Sequence, residues 1–364
     1  MHYEAGMNFA SDNIVGASAP VLQAIVEANA GAMTAYGNDE ISKRVRTRFS
    51  EIFEREVSVF FVTTGTAANA LALSSAVPPY GLCVCHREAH IIDDECGAPE
   101  FFMHGAKLAG LPGVGAKLRA EDVAAYLESL PKAVKQMPPK ALSVSQVSEC
   151  GMVYGLDELA ALGAVCRNHG LSFHMDGARF ANALVSLGCT PAEMTWKQGV
   201  DILSFGATKN GGLMAEAIVV FKPELAEALD YRSKRAGQII SKGRLIAAQF
   251  EGYVADDHWL DNARHANRMA TLLSEGLSGL PGVRLGWPSQ ANEVFPIIPK
   301  SLDQVLKAAG ILYHAWTDLS LPETERVGDH EVLIRLVTSW ATREDDVRRL
   351  LEVASSGVSR QAAE

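Results

Sequence analysis

Three groups of residues carry chemistry of different kinds, each at the end of an apolar stretch. Thr64-Gly65-Thr66 follows residues 57–62 (VSVFFV) and opens an Ala/Leu run. Asp176 ends residues 171–175 (LSFHM), and Lys209 lies just beyond residues 202–205 (ILSF). A glycine turn with a hydroxyl at a helix N-terminus favours a phosphate, because free N–H groups and the helix dipole point at it. A carboxylate at a strand end can pair with a cationic ring nitrogen. A lysine in a buried site can lose its proton and attack a carbonyl. Taken singly, these are a turn, a cap and a solvated charge. Together, and in this order, they suit one cofactor: pyridoxal 5'-phosphate held on Lys209 as a Schiff base. The run Ser204-Phe205-Gly206-Ala207-Thr208-Lys209-Asn210-Gly211-Gly212 flanks the lysine with glycine and holds no second charge, unlike a solvated face.

The elements that must position these groups are read from pattern. Residues 57–62, 82–85, 142–147, 171–175, 202–205 and 217–221 read as buried strands. Helices are expected over 21–29 with Pro20 at the first position, over 42–53, over 67–76, and over 157–169 closed by Gly170. Strands alternating with helices imply an α/β fold with a mainly parallel sheet flanked by helices. In open α/β sheets ligands lie at the carboxyl ends of the strands, where all three groups fall. Near residue 255 the pattern changes. Helices over 259–280 and 343–354, with strands at 283–285, 293–298 and 332–338, suggest a smaller α+β unit. The expected division is an N-terminal arm (1–20), a large cofactor-binding domain (21–255) and a small C-terminal domain (256–364), with 359–364 frayed.

Several motifs together resemble the threonine aldolase family of pyridoxal-phosphate enzymes. They are Phe9-Ala10-Ser11-Asp12-Asn13, Tyr36-Gly37-Asn38-Asp39-Glu40, Thr64-Gly65-Thr66-Ala67-Ala68-Asn69, Ala89-His90-Ile91, His174-Met175-Asp176-Gly177-Ala178-Arg179, Ala207-Thr208-Lys209-Asn210-Gly211 and Arg335-Leu336-Val337-Thr338. The resemblance runs from about Phe9 to Thr342 and is strongest to low-specificity L-threonine and phenylserine aldolases. It implies an aspartate-aminotransferase-like (fold-type I) large domain. It also implies retro-aldol cleavage of L-threonine, L-allo-threonine or bulkier β-hydroxy-α-amino acids to glycine and an aldehyde.

Carried over by residue, it implies that Lys209 bonds the cofactor and Asp176 pairs with its ring nitrogen. His90 stacks on the ring, and Gly65 and Thr66 bind the phosphate. Ser11, Arg179 and Arg335 hold the substrate carboxylate, with Arg179 beside the cofactor too. The Tyr36 segment is one that approaches a neighbouring subunit's site, so a homodimer or homotetramer is expected. Two departures stand out. Many relatives carry Asn-Thr-His where this chain has Gln146-Val147-Ser148-Glu149, which leaves His90, Glu149 or a bound water for the β-hydroxyl proton. The segment Arg235-Ala236-Gly237-Gln238-Ile239-Ile240-Ser241-Lys242 replaces one ending in Arg-Gln, so Lys242 or Arg235 would supply positive charge to the phosphate, within the chain or across the dimer. The same fold hosts β-elimination, racemisation and transamination, which are the alternative chemistry.

Composition sets the outer bounds. The chain has 364 residues, 48 % hydrophobic and 21 % charged, with a net charge of −10. Disorder, collagen and disulfide miniproteins are excluded. The acidic balance offers no basic field for nucleic acid or anionic lipid. No apolar run is long enough to span a bilayer. Met1-His2-Tyr3-Glu4 lacks a basic stretch leading into an apolar one, so no secretory signal is expected. Cys83, Cys85, Cys96, Cys150, Cys166 and Cys189 make no Cys-x-x-Cys pair and no zinc spacing. They read as reduced thiols of a cytoplasmic protein without a metal site.

Overall fold

The computed structural model describes residues 7–361. Its large sheet has seven strands: β1 (Ser58–Val62), β2 (Leu82–His86), β3 (Lys107–Leu111), β4 (Pro139–Ser145), β5 (Ser172–Gly177), β6 (Ile202–Gly206) and β7 (Glu216–Val220). Their order is β1-β7-β6-β5-β4-β2-β3. Only β7 is antiparallel to its neighbours; the other pairings are parallel. The carboxyl ends of the parallel strands and the start of β7 therefore share one edge. The expected mainly parallel sheet is the one observed.

Helices cover both faces. In chain order they are α1 (Ala19–Ala28), α2 (Glu40–Ile52), α3 (Gly65–Ala76), α4 (His90–Asp93), α5 (Ala98–Phe102), α6 (Ala120–Ser129), α7 (Leu156–His169), α8 (Phe180–Leu187), α9 (Pro191–Met194), α10 (Leu229–Arg235), α11 (Arg244–Val254), α12 (His258–Ser278), α13 (Lys300–Ala308) and α14 (Glu344–Gln361). Strand side chains alternate between faces. Phe173, Met175, Leu203 and Phe205 point into the main core with Phe49, Phe53 and Phe250. Ile202, Ile218 and Val220 point the other way, against Ala68, Leu71 and Ala72 of α3. Asp176 shares that second face by the same alternation, which places it under α3.

The second sheet has the order β11-β12-β10-β8, with β9 also pairing β12. These strands are β8 (Arg284–Leu285), β9 (Glu293–Val294), β10 (Pro296–Pro299), β11 (His314–Ala315) and β12 (Glu331–Val337). Its core joins Val294, Ile298, Ile334 and Leu336 to Leu302, Leu306, Val347 and Leu350. Helix α12 serves both units: Trp259 and Ala263 pack in the main core, while Met269, Leu273 and Leu277 pack in the second. The N-terminal segment is also shared. Phe9 is buried in the second core, its N–H donates to Leu312 O at 2.8 Å, and its carbonyl accepts from Val337 N–H at 2.8 Å.

The observed elements differ from the expected ones in places. Residues 293–298 form two short strands separated by Phe295, because Glu293–Val294 pairs β12 near its end while 296–299 pairs it further back. The strand expected over 142–147 begins at Pro139 and stops at Ser145. The last helix runs on to Gln361 instead of ending at 354; the remainder of the 359–364 stretch, and residues 1–6, lie outside the described residues. β3, α6, α8 and α13 have no counterpart among the expected elements.

Candidate active site

A cavity of about 290 Å³ opens at the shared edge, lined by residues from five strand ends. Close approach of the β5 and β6 ends builds its floor. A Cβ on Gly206 would lie 2.7 Å from Ala178 O, and one on Gly177 would lie 2.8 Å from Ser204 O. Only glycine at both positions lets the Asp176 loop and the Lys209 loop meet. Asn210, next to the lysine, is buried and clamped: its Nδ2 donates to Tyr253 Oη and to Trp259 O, both at 2.8 Å, and its carbonyl accepts from Asn262 Nδ2 at 2.9 Å. Helices α11 and α12 thus fix the turn that presents Lys209.

Lys209, Asp176, His90, Gly65, Thr66 and Arg179 all line this one cavity. Thr64 caps α3 by accepting from Ala67 N–H at 3.1 Å. The Gly65 and Thr66 N–H groups have no partner among the described residues and stand at the positive end of the helix dipole. A Cβ added at Gly65 would meet no atom within 4 Å, so the space over these donors is open. Asp176 Oδ1 accepts from Ala178 N–H at 3.0 Å and Oδ2 from Asn69 Nδ2 at 2.8 Å, which aims the carboxylate. The same Asn69 amide donates to Glu95 Oε1 at 2.8 Å, and Glu95 Oε1 lies 2.9 Å from His90 Nδ1. That hydrogen bond to Glu95 raises the His90 pKa despite partial burial.

An anion cradle, a fixed carboxylate, a ring at hand for stacking and a lysine around one cavity fit pyridoxal phosphate. The buried, unpartnered Asn69 Oδ1, Glu95 Oε2 and Glu149 Oε2 add polar capacity at the same edge.

The remaining expected residues are placed differently. Arg179 is not a free cation. Its Nε donates to Asp12 Oδ2 at 2.8 Å and its Nη2 to Asp12 Oδ1 at 3.1 Å, with Glu293 at 3.3 Å. Burial opposes its charge, but Asp12 and Glu293 more than offset this and hold its pKa above the usual value. Arg179 is therefore already paired with two protein carboxylates at the cavity wall. Arg335 is the less committed guanidinium: it stacks 4.4 Å from the Trp316 ring centre, donates once to Ala10 O at 3.2 Å, and its Nε is unpartnered. It adjoins the Arg179 cluster but is not among the residues that line the cavity.

Ser11 lies outside the lining and caps a short turn by accepting from Asn13 N–H at 3.1 Å; Asn13 takes the lining position. Lys242 is exposed and does not line its own chain's cavity, which leaves it the place across a subunit boundary. Arg235 lies instead in a surface groove with Phe101 and Tyr231. Between them, Gln238 does reach the site's edge, accepting from Thr63 N–H at 3.0 Å and Thr63 Oγ1 at 3.1 Å.

Asn69, Glu95, Ser145 and Glu216 also line the cavity, though no role was expected of them from sequence. Asn69 alone carried a signal: it stands one helical turn after Gly65, on the same face of α3. His174, by contrast, is a core residue. It bridges Ser143 Oγ at 2.8 Å and Ser204 Oγ at 3.0 Å, and burial lowers its pKa to about 4.

Comparison with known proteins gives the family. Residues 8–298 match the beta-eliminating lyase family. A low specificity L-threonine aldolase of Pseudomonas sp. (strain NCIMB 10558) is 41 % identical over 95 % of this chain and 96 % of its own. One from Pseudomonas aeruginosa is 42 % identical over 95 % of each chain. The chain belongs to the threonine aldolases of the beta-eliminating lyase family. The structure of a Leishmania major threonine aldolase superposes with a TM-score of 0.88 and 31 % identity, covering 96 % of this chain and 99 % of that one. The fold-type I architecture and the lyase class are thereby shown, and threonine aldolases of this family depend on pyridoxal phosphate.

Proposed function

We propose that this chain is a pyridoxal-phosphate-dependent aldolase that cleaves L-threonine to glycine and acetaldehyde, and that it also accepts L-allo-threonine and bulkier substrates such as phenylserine. The observation that carries the reading is the convergence of Lys209, Asp176, His90 and the Gly65–Thr66 N–H groups on one cavity. The Gly65 and Thr66 donors would hold the phosphate, Asp176 the ring nitrogen, His90 the ring face and Lys209 the carbonyl carbon. When bound, the cofactor supplies an electron sink for the pair released at Cα. Asp176, aimed by Asn69 and the Ala178 N–H, keeps a positive charge at the ring nitrogen. Arg335 binds the substrate carboxylate and so fixes rotation about N–Cα. Arg179, Asp12 and Glu293 form the rigid wall beside it. Lys209 Nζ carries protons to and from Cα.

The Tyr36 and Lys242 segments point to a second chain. Both residues are exposed, and Tyr36 N–H donates to Ser241 O at 3.0 Å, which joins the two segments into one outward-facing edge. In a homodimer this edge serves the neighbour's phosphate.

Incubation with threonine, allo-threonine and phenylserine, followed by chromatography of glycine and aldehyde, tests the reaction. Ammonia and a keto acid in place of glycine would point to the alternative chemistry. A visible absorption band that is lost in Lys209→Ala tests the attachment. Mixed Lys209→Ala and Lys242→Ala chains should regain activity that neither has alone if sites are shared between subunits.

A further inference from the structure

The proton on the substrate's β-hydroxyl needs an acceptor, and sequence alone leaves His90, Glu149 and a bound water open. Four buried or half-buried carboxylates line the cavity, and three are occupied. Asp176 accepts from Asn69 and Ala178. The Glu95 side chain is fully covered: its Oε1 holds His90 and Asn69, and its Oε2, though also unpartnered, has no exposed surface. Glu216 is buried at the opposite end, where β7 begins, against Thr208 and the charge of Lys209.

Glu149 is different. It stands just past the end of β4. Its Oε1 accepts from His90 N–H at 2.9 Å and from Ser145 Oγ at 2.5 Å, which fix the carboxyl in place. Its Oε2 accepts from nothing among the described residues. His90 is badly suited to the task, because its Nδ1 is tied to Glu95, which favours its charged form.

We infer that Glu149 is the catalytic base that takes the β-hydroxyl proton, in a role distinct from the stacking role of His90. This rests on the aldolase reading above. In the step, the O–H bond breaks and its proton passes to the Glu149 carboxylate. The O–H electron pair becomes the second C–O bond of the aldehyde. The Cα–Cβ bond breaks with its pair staying on Cα, which then takes up one proton to give glycine. The proton lost by the hydroxyl and the one gained at Cα balance.

The surroundings suit a base working near neutrality. Burial pushes the Glu149 carboxyl up to about 7, against the hydrogen bonds from Ser145 and His90, which lower it. Asp176 on β5 faces it as a further charge that raises it. Cys85 on β2, and Cys150 and Tyr154 on its own loop, are its other titratable neighbours; burial keeps all three protonated.

The test separates the base from the rest of the site. Glycine alone exchanges its α-proton at the cofactor without using a hydroxyl base. Purified holoenzyme carrying Glu149→Gln should keep the visible cofactor band and exchange glycine α-protons in D2O at close to the wild-type rate. It should lose threonine cleavage by roughly 100-fold or more. The acid limb of the wild-type cleavage profile should vanish in this variant and persist in His90→Phe. Cleavage near the wild-type rate in Glu149→Gln, or an acid limb that disappears with His90 instead, overturns the assignment. Parallel loss of glycine exchange and cofactor band shows a purely structural role and also overturns it. Failure of the aldolase reading is separate: wild-type protein would then release no acetaldehyde from threonine.

Discussion

The Asn69 side-chain amide donates to the Asp176 carboxylate at 2.8 Å. The amide comes from the first turns of α3 and the carboxylate from the end of β5, so the helix proposed to receive the phosphate also steers the acid proposed to face the ring nitrogen. Asn69→Ala removes a hydrogen bond to a charged group, worth about 1.5–3 kcal/mol. The expected result is a kcat lower by roughly 10–100-fold with the cofactor band still present but shifted. Steady-state kinetics and absorption spectra check it.

The two arginines should separate cleanly. Removing Arg179 leaves Asp12 and Glu293, each 1 % exposed, without their main counter-charge. Arg179→Leu should cost about 3–5 kcal/mol of stability, read as a lower midpoint in urea. Arg335→Lys keeps a charge but loses the planar fork and the stacking on Trp316. It should raise KM for threonine roughly tenfold or more, with little change in the urea midpoint.

Glu95 should tune His90. The folded-state pKa of His90 is raised, first by its hydrogen bond to Glu95. Its contribution to stability is therefore fully present below the unfolded value of 6.5 and is lost as pH rises through the folded value. Glu95→Gln should move the His90 titration, tracked by NMR, down toward 6.5 and flatten that part of the stability profile.

Gly65 offers a clean probe of the phosphate cradle. A Cβ there meets no protein atom within 4 Å, and alanine suits a helix better than glycine. Gly65→Ala should leave the melting temperature of the cofactor-free protein unchanged or slightly raised, while weakening cofactor binding in a fluorescence titration. Unchanged cofactor affinity would place the phosphate elsewhere.

Much of this arrangement was legible in the residues because local chemistry dictates it. The β-branched and aromatic runs ending at Val62, Met175 and Phe205 are strands in any context that buries them, and the residues just beyond a parallel strand must lie at the binding edge. β3 was not legible: KLAGL lacks β-branched residues and forms a sheet edge, so pairing with β2, rather than propensity, makes it a strand. Helix α8 was hidden for another reason: it is short, mostly apolar and carries no charged residue. The pairing of Asp12 with Arg179 was out of reach altogether. The two are 167 positions apart, and only the fold brings this carboxylate to that arginine.

The tie between Phe9 and Val337 bears on how the chain is made. Phe9 finds its backbone partners only after Leu312 and Val337, about 300 positions later, have been translated. At usual elongation rates that wait lasts on the order of tens of seconds. During it Phe9 has no core to enter. The second core is thus completed by a segment synthesised long before it, and Phe9 stays unsheltered until Val337 has been made.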